Sequence, residues 1–171
     1  MNKNKWLVPV LCIGIVLCMG VTIWALFFRS GGTPIAPDYP PQGTEANQKP
    51  LEGDNSEKME SPQGGGSINV TYNVNATVDL SEGTVSLLYA NPQASNQDVA
   101  ILIMIDDLVI AKSDLISPGN GVDNLALDEY AKGKIAVGGY DAELVIRAYD
   151  PQTGEKAMVD TKGQLSLTVV E

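Results

Sequence analysis

Hydrophobic and polar residues alternate along most of the second half of the chain. From Ile68 to Leu80, apolar side chains occupy every second position, and Asn, Thr and Asp stand between them. A period of two is typical of a strand with one buried face, because successive side chains of a strand point to opposite sides. Further strands are predicted over 85–90, 98–105, 108–112, 122–127, 140–149, 155–161 and 165–170.

Turn residues separate these predicted strands. Asp106-Asp107 fits a two-residue hairpin turn, and the stretch from Asp150 to Gly154 fits a type I turn followed by a left-handed glycine. Only residues 127–132 suit a helical turn. Seven or eight short strands with regular turns predict an all-β domain, an antiparallel immunoglobulin/fibronectin-III-like β-sandwich.

The start of the predicted strand 140–149 supports this fold class. Gly139-Tyr140-Asp141-Ala142 follows a loop and opens a strong strand, which resembles the tyrosine corner of immunoglobulin-like and fibronectin-type-III-like domains. The Cys and Trp of true immunoglobulin domains are missing from residues 67–171. The resemblance therefore supports a sandwich without fixing its topology.

The N-terminal part of the chain follows a different pattern. Residues 6–28 contain no charged side chain, and at a helical rise of ~1.5 Å per residue they extend roughly 35 Å, enough for a hydrocarbon core of ~30 Å. We therefore expect a transmembrane helix that acts as a signal anchor, with the lipid bilayer as its partner. Lys3 and Lys5 precede the run and only Arg29 follows it closely, which favours a single-pass protein with the N-terminus inside and the C-terminal domain outside.

A cleaved signal peptide, which would leave a secreted protein, is the alternative. The run is longer than the usual ~7–15 residues of a signal-peptide core, and it ends at Ala25-Leu26-Phe27-Phe28-Arg29 without a small-x-small cleavage site. Cys12 and Cys18 each follow Leu where a lipobox carries Gly or Ala. An uncleaved anchor is the simpler interpretation.

Between the apolar run and the sandwich, residues 29–66 hold six of the ten prolines and seven glycines. Such a segment has too little apolar surface to fold, so it predicts a disordered, acidic linker. A Pro-rich recognition motif at 33–41 is the functional alternative to a spacer. The predicted organisation is a cytoplasmic N-terminus (1–5), a transmembrane helix (6–28), the linker (29–66) and the sandwich (67–171).

Charge and composition exclude several function classes. The 171 residues include 11 basic and 21 acidic side chains and no His, for a net charge of −10. A strongly acidic chain without a basic stripe does not bind nucleic acid phosphates. The absence of His removes the commonest acid, base and metal ligand near neutral pH. We therefore predict no enzyme activity, no catalytic residues and no cofactor.

Acidic loops are the one feature that fits a metal. Asp106-Asp107, Asp128-Glu129 and the Asp141/Glu143 pair offer oxygen ligands of the kind that Ca²⁺ prefers. They lack the spacing of an EF-hand, and solvated carboxylates in turns are far more common. No metal site is predicted.

One strand departs from the alternating pattern and gives the candidate binding site. Residues 99–105 are apolar on both faces. The two-residue turn would pair Met104 with Val109 and Leu102 with Ala111, placing these four on the outer surface. In an immunoglobulin-like order the outward residues of strand 140–149 lie beside them. The candidate protein-binding face comprises Leu102, Met104, Val109, Val145, Arg147 and Tyr149. In the alternative interpretation, the terminal strand, a loop or the linker covers this apolar surface.

Three stretches carry a resemblance to known proteins: Ala36-Pro37-Asp38-Tyr39, Ser86 to Pro92 with Ser95-Asn96-Gln97, and Tyr149 to Ala157. On these the chain resembles small single-pass surface proteins of Gram-positive bacteria with a C-terminal immunoglobulin-like β-sandwich domain. The resemblance implies a cell-surface protein without an assigned active site, and it transfers no functional residues.

Two functions follow from these expectations. The first is a membrane-anchored, extracellular, non-catalytic binding or adhesion module with a protein partner. The alternative is an accessory or structural subunit that docks on a larger membrane or secretion complex.

Overall fold

The computed structural model describes residues 43–60 and 66–171, together with Gly14 and Pro41. The predicted cytoplasmic N-terminus and transmembrane helix lie outside the described residues, except for Gly14, which is helical. Within the described residues, none of the helices has the length and apolar character needed to cross a bilayer. The chain divides into the units Met1–Tyr39 and Pro40–Glu171, and every strand of the described residues belongs to the second.

The alternating sequence produces nine strands and one short helix in the described part of the chain. The strands are β1 (Lys49–Pro50), β2 (Thr71–Tyr72), β3 (Asn75–Asp79), β4 (Thr84–Asn91), β5 (Asp98–Ile105), β6 (Leu108–Lys112), β7 (Asn120–Ala126), β8 (Gly138–Tyr149) and β9 (Thr161–Val170). The helix α1 (Glu129–Lys132) is capped by Asp128, which accepts hydrogen bonds from two backbone amides. The fold is therefore all-β, as predicted.

The strands form one curled sheet in the order β1-β7-β4-β3-β9-β8-β5-β6, and β2 pairs with β4. Every pair in this order is antiparallel except β3 with β9, which is parallel. A bridge between Ala111 and Leu127 brings the β6 end of the sheet to the end of β7. The sheet thus folds back into two layers joined at β3 and β9, whereas the sequence analysis expected antiparallel pairs throughout.

Side chains from both layers fill a single core. Fully buried residues include Val78, Val85 and Leu87 from one layer and Ile101, Ile103, Leu144 and Ile146 from the other. They occupy alternate positions of their strands, as the period of two predicts. Each buried aliphatic side chain of this size stabilises the fold by about 1.5–3 kcal/mol.

The first long alternating stretch is interrupted, contrary to prediction. The amide of Asn73 donates to the Leu88 carbonyl in β4 at 2.9 Å, but the next carbonyl, that of Val74, accepts from Ser166 in β9 at 2.7 Å. At this point the chain therefore gains β9 as a second partner, while β3 stays paired with β4. Val74, expected to face inward with its apolar neighbours, is 55% exposed.

The β5–β6 hairpin contains the predicted two-residue turn, and Ile105 pairs with Leu108 and Met104 with Val109 as expected. A bulge then shifts the register, so Ile103 pairs with Ala111 and Leu102 with Lys112. The prediction that Ala111 lies on the outer surface is therefore wrong, because the extra residue turns it into the core, where it is 1% exposed.

Tyr140 makes the contact expected of a tyrosine corner. Its hydroxyl donates to the Ala136 carbonyl at 2.9 Å and accepts from the Ala136 amide at 3.2 Å, four residues upstream. At the other end of β8, Asp150 accepts hydrogen bonds from the amides of Gln152 and Thr153, and Gly154 has a φ of 72°. This is the predicted turn followed by a left-handed glycine.

Residues 43–60 form a strap along the edge of β7, although the sequence analysis assigned them to the disordered linker. Lys49 and Pro50 pair with β7 as β1, and the Leu51 amide donates to the Gly119 carbonyl at 2.8 Å. The Glu45 amide donates to the Leu115 carbonyl at 2.8 Å. Residues 61–65 of the predicted linker lie outside the described residues.

Polar side chains hold the strap in place. The Glu45 carboxylate, which is 9% exposed, accepts from the amides of Asn47 at 3.0 Å and Asp114 at 2.9 Å. Asp54 accepts from the Gln93 amide at 2.7 Å, and the Ser56 hydroxyl accepts from the Ala94 amide at 3.0 Å. The strap thus satisfies backbone donors of two loops, and this explains how an apolar-poor segment folds on the domain.

Candidate functional site

The predicted binding face is the outward surface of β5 and β8 with the strands that flank them, and we call it the β5–β8 face. Its rows follow from the register: Leu102 stands opposite Val145, Met104 opposite Glu143, and Ala100 opposite Arg147. Val109 continues the row of Met104 into β6. Tyr149, opposite Asp98, begins the same series of rows, so all six candidate residues lie on one side of the sheet.

One row of this face crosses four strands. Lys112 in β6 pairs with Leu102 in β5, Leu102 with Val145 in β8, and Val145 with Lys162 in β9. Two aliphatic side chains therefore lie between two lysines. Lysine stems are themselves apolar and cover neighbouring side chains, so both lysines contribute to the apolar area of the row.

Burial differs among the candidate residues. Leu102, Met104, Val109 and Arg147 are half-buried, whereas Val145 and Tyr149 are only 5% and 3% exposed. Tyr149 is flanked by Asp98 in β5 and forms a bridge with Lys156 in the loop between β8 and β9. The accessible apolar surface is therefore centred on Leu102, Met104 and Val109, with Tyr149 at its covered end.

Basic residues are concentrated on or beside this face. Residues 67–171 contain six basic and fifteen acidic side chains. The four basic residues of the face and its margin are Lys112, Arg147, Lys156 and Lys162, and the other two, Lys132 and Lys134, lie in α1 and just after it. The β5–β8 face and its margin therefore hold most of the basic residues of an acidic domain, together with the carboxylates of Asp98, Glu143 and Asp160.

The ion pairs of the face leave one of these cations without a counter-ion. Lys162 pairs with Glu143 at 2.8 Å, and Lys156 and Arg147 both approach Asp160, at 2.8 and 3.5 Å. Lys112 is exposed and forms no ion pair with any of the described residues. Its charge is available to a partner.

The opposite layer carries a second surface, a groove of about 460 Å³ over β4 and β7 that we call the β4–β7 groove. Ala90 and Gly121 line it together with Leu51 of the strap, and Leu88, 62% exposed, stands beside them. Gly121 is required here because a Cβ would lie 2.6 Å from the Tyr89 carbonyl oxygen. Lys49 and Asp123 form an ion pair at the groove, 2.6 Å apart.

The sequence analysis did not predict this groove. One wall belongs to the strap, which was assigned to the linker, and Leu88 lies on the outward side of β4 between the buried Leu87 and Tyr89. The signal that was present is the adjacent pair Leu87-Leu88, which breaks the alternation of β4.

Two of the acidic side chains considered as Ca²⁺ ligands make other interactions. Asp128 caps α1, and Glu143 pairs with Lys162. In the described residues, no group of three or more His, Cys, Asp or Glu side chains is arranged to hold a metal.

The pKa values of two buried or partly buried groups, Asp98 and Tyr89, are shifted by their surroundings. Burial raises the pKa of the Asp98 carboxyl, a hydrogen bond from Ser117 opposes this, and the charge of Asp150 adds to it. Burial also raises the pKa of the Tyr89 phenol, whose hydroxyl has no hydrogen-bond partner among the described residues. Burial is the first cause of both shifts, and burial shifts a pKa in packed structure as well as in functional sites.

Comparison with known proteins adds little to this description. No family model matches the chain, and no curated protein does. Among solved structures, AggA, the major subunit of aggregative adherence fimbriae type I from Escherichia coli, is 12% identical, with coverage of 66% of this chain and 100% of that chain and a TM-score of 0.29. The periplasmic chaperone SfaE is 11% identical, with coverage of 59% of this chain and 56% of that chain and a TM-score of 0.33. Both TM-scores are too low for either likeness to bear on function.

Proposed function

We propose that the protein is a membrane-anchored, extracellular, non-catalytic binding module that presents an immunoglobulin-like β-sandwich on a short tether. The uncharged run 6–28 supports the anchor, and Lys3 and Lys5 before it support an inside N-terminus. Its likeness to single-pass surface proteins of Gram-positive bacteria fits this arrangement.

The immunoglobulin-like assignment rests on topology. One layer contains β7, β4 and β3, the other contains β9, β8, β5 and β6, and β3 pairs with a strand of each layer. The Tyr140 contact with Ala136 lies at the start of β8, the position of the tyrosine corner in such domains.

The observation that carries the binding function is the row from Lys112 through Leu102 and Val145 to Lys162. Half-buried apolar residues that form a contiguous patch mark sites of protein association, and Met and Arg are enriched there. On a domain with fifteen acidic and six basic residues, the location of four of those six at this patch is a specific feature. The partner is therefore a protein with an apolar and acidic contact surface.

Anchoring and orientation are tested on intact cells that express the chain with a C-terminal epitope. Added protease should remove the epitope from intact cells, and mass spectrometry of the membrane fraction should recover residues 6–28 attached to the domain. A protected epitope would contradict the orientation. Recovery of chains that start beyond residue 28 would show the secreted form instead.

Partner binding is tested with a photo-crosslinking amino acid placed at Met104. The matched control position is Val137, which is 61% exposed and lies outside both the β5–β8 face and the β4–β7 groove. We expect a discrete protein adduct from position 104 and none from position 137. The proposal fails when position 104 gives no adduct or when both positions give the same adduct.

An accessory subunit of a membrane complex is the second candidate, and the strap favours it. Because the strap begins at residue 43, residues 29–42 separate it from the apolar run. Fourteen residues span at most about 50 Å. Such a domain works close to the membrane, so the adduct from position 104 would then be a subunit of a membrane complex.

A further inference from the structure

The two outer surfaces of the sandwich are complementary to each other. The β5–β8 face presents Lys112 and Lys162 around an aliphatic centre. The groove side presents the exposed Leu88 next to the strap, and the strap carries five acidic and two basic residues between positions 43 and 60. Among the strap's carboxylates, Glu52, Glu57 and Glu60 are exposed.

From this complementarity we propose that the β5–β8 face of one molecule binds the β4–β7 groove and the adjoining strap of a second copy of this chain. The inference rests on the proposed binding function and names its partner. Apolar residues meet at the centre, and the lysines of the face meet the carboxylates of the strap at the rim. Charge complementarity of this kind gives specificity and fast association.

The geometry determines the type of assembly. The two surfaces belong to different layers of the sandwich and point away from each other, so a molecule bound through one still offers the other. A contact between two different surfaces of identical molecules is heterologous, and it propagates into an open chain unless the rotation closes a ring. Anchored molecules in one membrane would therefore line up side by side.

The test uses the full chain in non-ionic detergent and sedimentation velocity over a range of concentrations. One variant, Lys112→Glu/Lys162→Glu, damages the face, and another, Leu88→Asp, damages the groove. The matched controls are Lys132→Glu/Lys134→Glu, with the same change in net charge away from the face, and Val137→Asp, at a residue 61% exposed outside both surfaces.

We expect wild-type chains to form a concentration-dependent series of oligomers that weakens in high salt. Each damaging variant should weaken association at least about tenfold, while both controls behave as wild type. A mixture of the two damaging variants should form dimers and no larger oligomers. The intact face of the groove variant binds the intact groove of the face variant, and the two remaining surfaces of that dimer are both damaged.

Three results would overturn the inference: a wild-type chain that stays monomeric, equal effects of damaging and control variants, and a mixture that fails to dimerise. In the last case the β5–β8 face and the β4–β7 groove do not bind each other. A monomeric wild type that still gives a discrete heterologous adduct from position 104 would refute self-association and leave the proposed binding function intact. Thermal unfolding of each variant, with a shift below about 2 °C, shows that the fold is retained.

Discussion

The phenol ring of Tyr72 lies against Gly163 and occupies the space where any other residue would place its Cβ. A Cβ at Gly163 would lie 2.8 Å from the Tyr72 Cζ and still closer to the hydroxyl oxygen. Tyr72 belongs to β2, which pairs with β4, and Gly163 belongs to β9 in the other layer. The contact therefore links the two layers near the junction of β3 and β9.

Substitution Gly163→Ala should lower the free energy of unfolding by about 1–2 kcal/mol, because the Tyr72 ring must shift. Chemical denaturation of the single variants and of Gly163→Ala/Tyr72→Ala measures the coupling directly. Gly139→Ala is the control, since a Cβ there meets nothing within 4 Å. Additive effects of the two changes would show that the ring does not determine the cost.

Removal of the hydroxyl should have opposite effects on stability at two tyrosines of the domain, Tyr89 and Tyr140. Tyr89 is 3% exposed and its hydroxyl has no partner among the described residues, so Tyr89→Phe should leave stability unchanged or raise it by about 1 kcal/mol. Tyr140→Phe removes the hydrogen bonds to Ala136 and should cost about 1 kcal/mol. Thermal unfolding compares them, and a marked loss in Tyr89→Phe would reveal a hidden partner.

The period of two was sufficient to locate most strands and the hairpin turn at Asp106-Asp107. A strand with one buried face has apolar residues at every second position, and this pattern is visible in the sequence. It did not reveal the break between β2 and β3 at Asn73 and Val74, since the alternation of the sequence continues without interruption there. It also missed the bulge in β6, because Ile110 and Ala111 are both apolar and no polar position marks the extra residue.

The candidate site was predicted in position and less well in exposure. The doubly apolar strand identified Leu102 and Met104 correctly as outward residues of β5. Exposure of Val145 and Tyr149 depends on Lys162 and on the loop between β8 and β9, which come from other parts of the chain. The strap was missed because its contacts are hydrogen bonds from polar side chains, and polar composition is also the mark of disorder.

The attachment of the strap to the domain should depend on the buried carboxylate of Glu45. Substitution Glu45→Ala leaves the Asp114 amide without its acceptor, and we expect a local cost of about 2 kcal/mol. Hydrogen exchange at the Leu115 amide, which donates to Gly43, should accelerate about tenfold or more, while the core amides of β5 keep their protection. Glu57→Ala, at an exposed position of the same segment, should change neither. Unchanged exchange at Leu115 in Glu45→Ala would mean that other contacts hold the strap.

Stability should fall in acid, and Asp150 is one source of the fall. Hydrogen bonds from the Thr153 and Gln152 amides lower the pKa of the Asp150 carboxyl from the ordinary value of 3.8. A carboxyl whose pKa is lower in the folded state stabilises the fold above its unfolded pKa, and this contribution is lost as the pH falls through the folded value. The contribution of Asp98 to stability has the opposite sign, because burial raises the pKa of its carboxyl. Its charge therefore opposes folding once the pH exceeds the pKa that the carboxyl has in the unfolded chain.

Two variants separate these opposite contributions. Asp150→Asn should have a lower melting temperature than wild type at pH 7, and the difference should shrink as the pH falls below about 4. Asp98→Asn should melt at or above the wild-type temperature at pH 7 and converge with it in acid, because both side chains are then neutral. Melting curves between about pH 2.5 and pH 7 record both trends. A difference that persists unchanged at the lowest pH would assign the effect to lost packing or hydrogen-bond geometry rather than to charge.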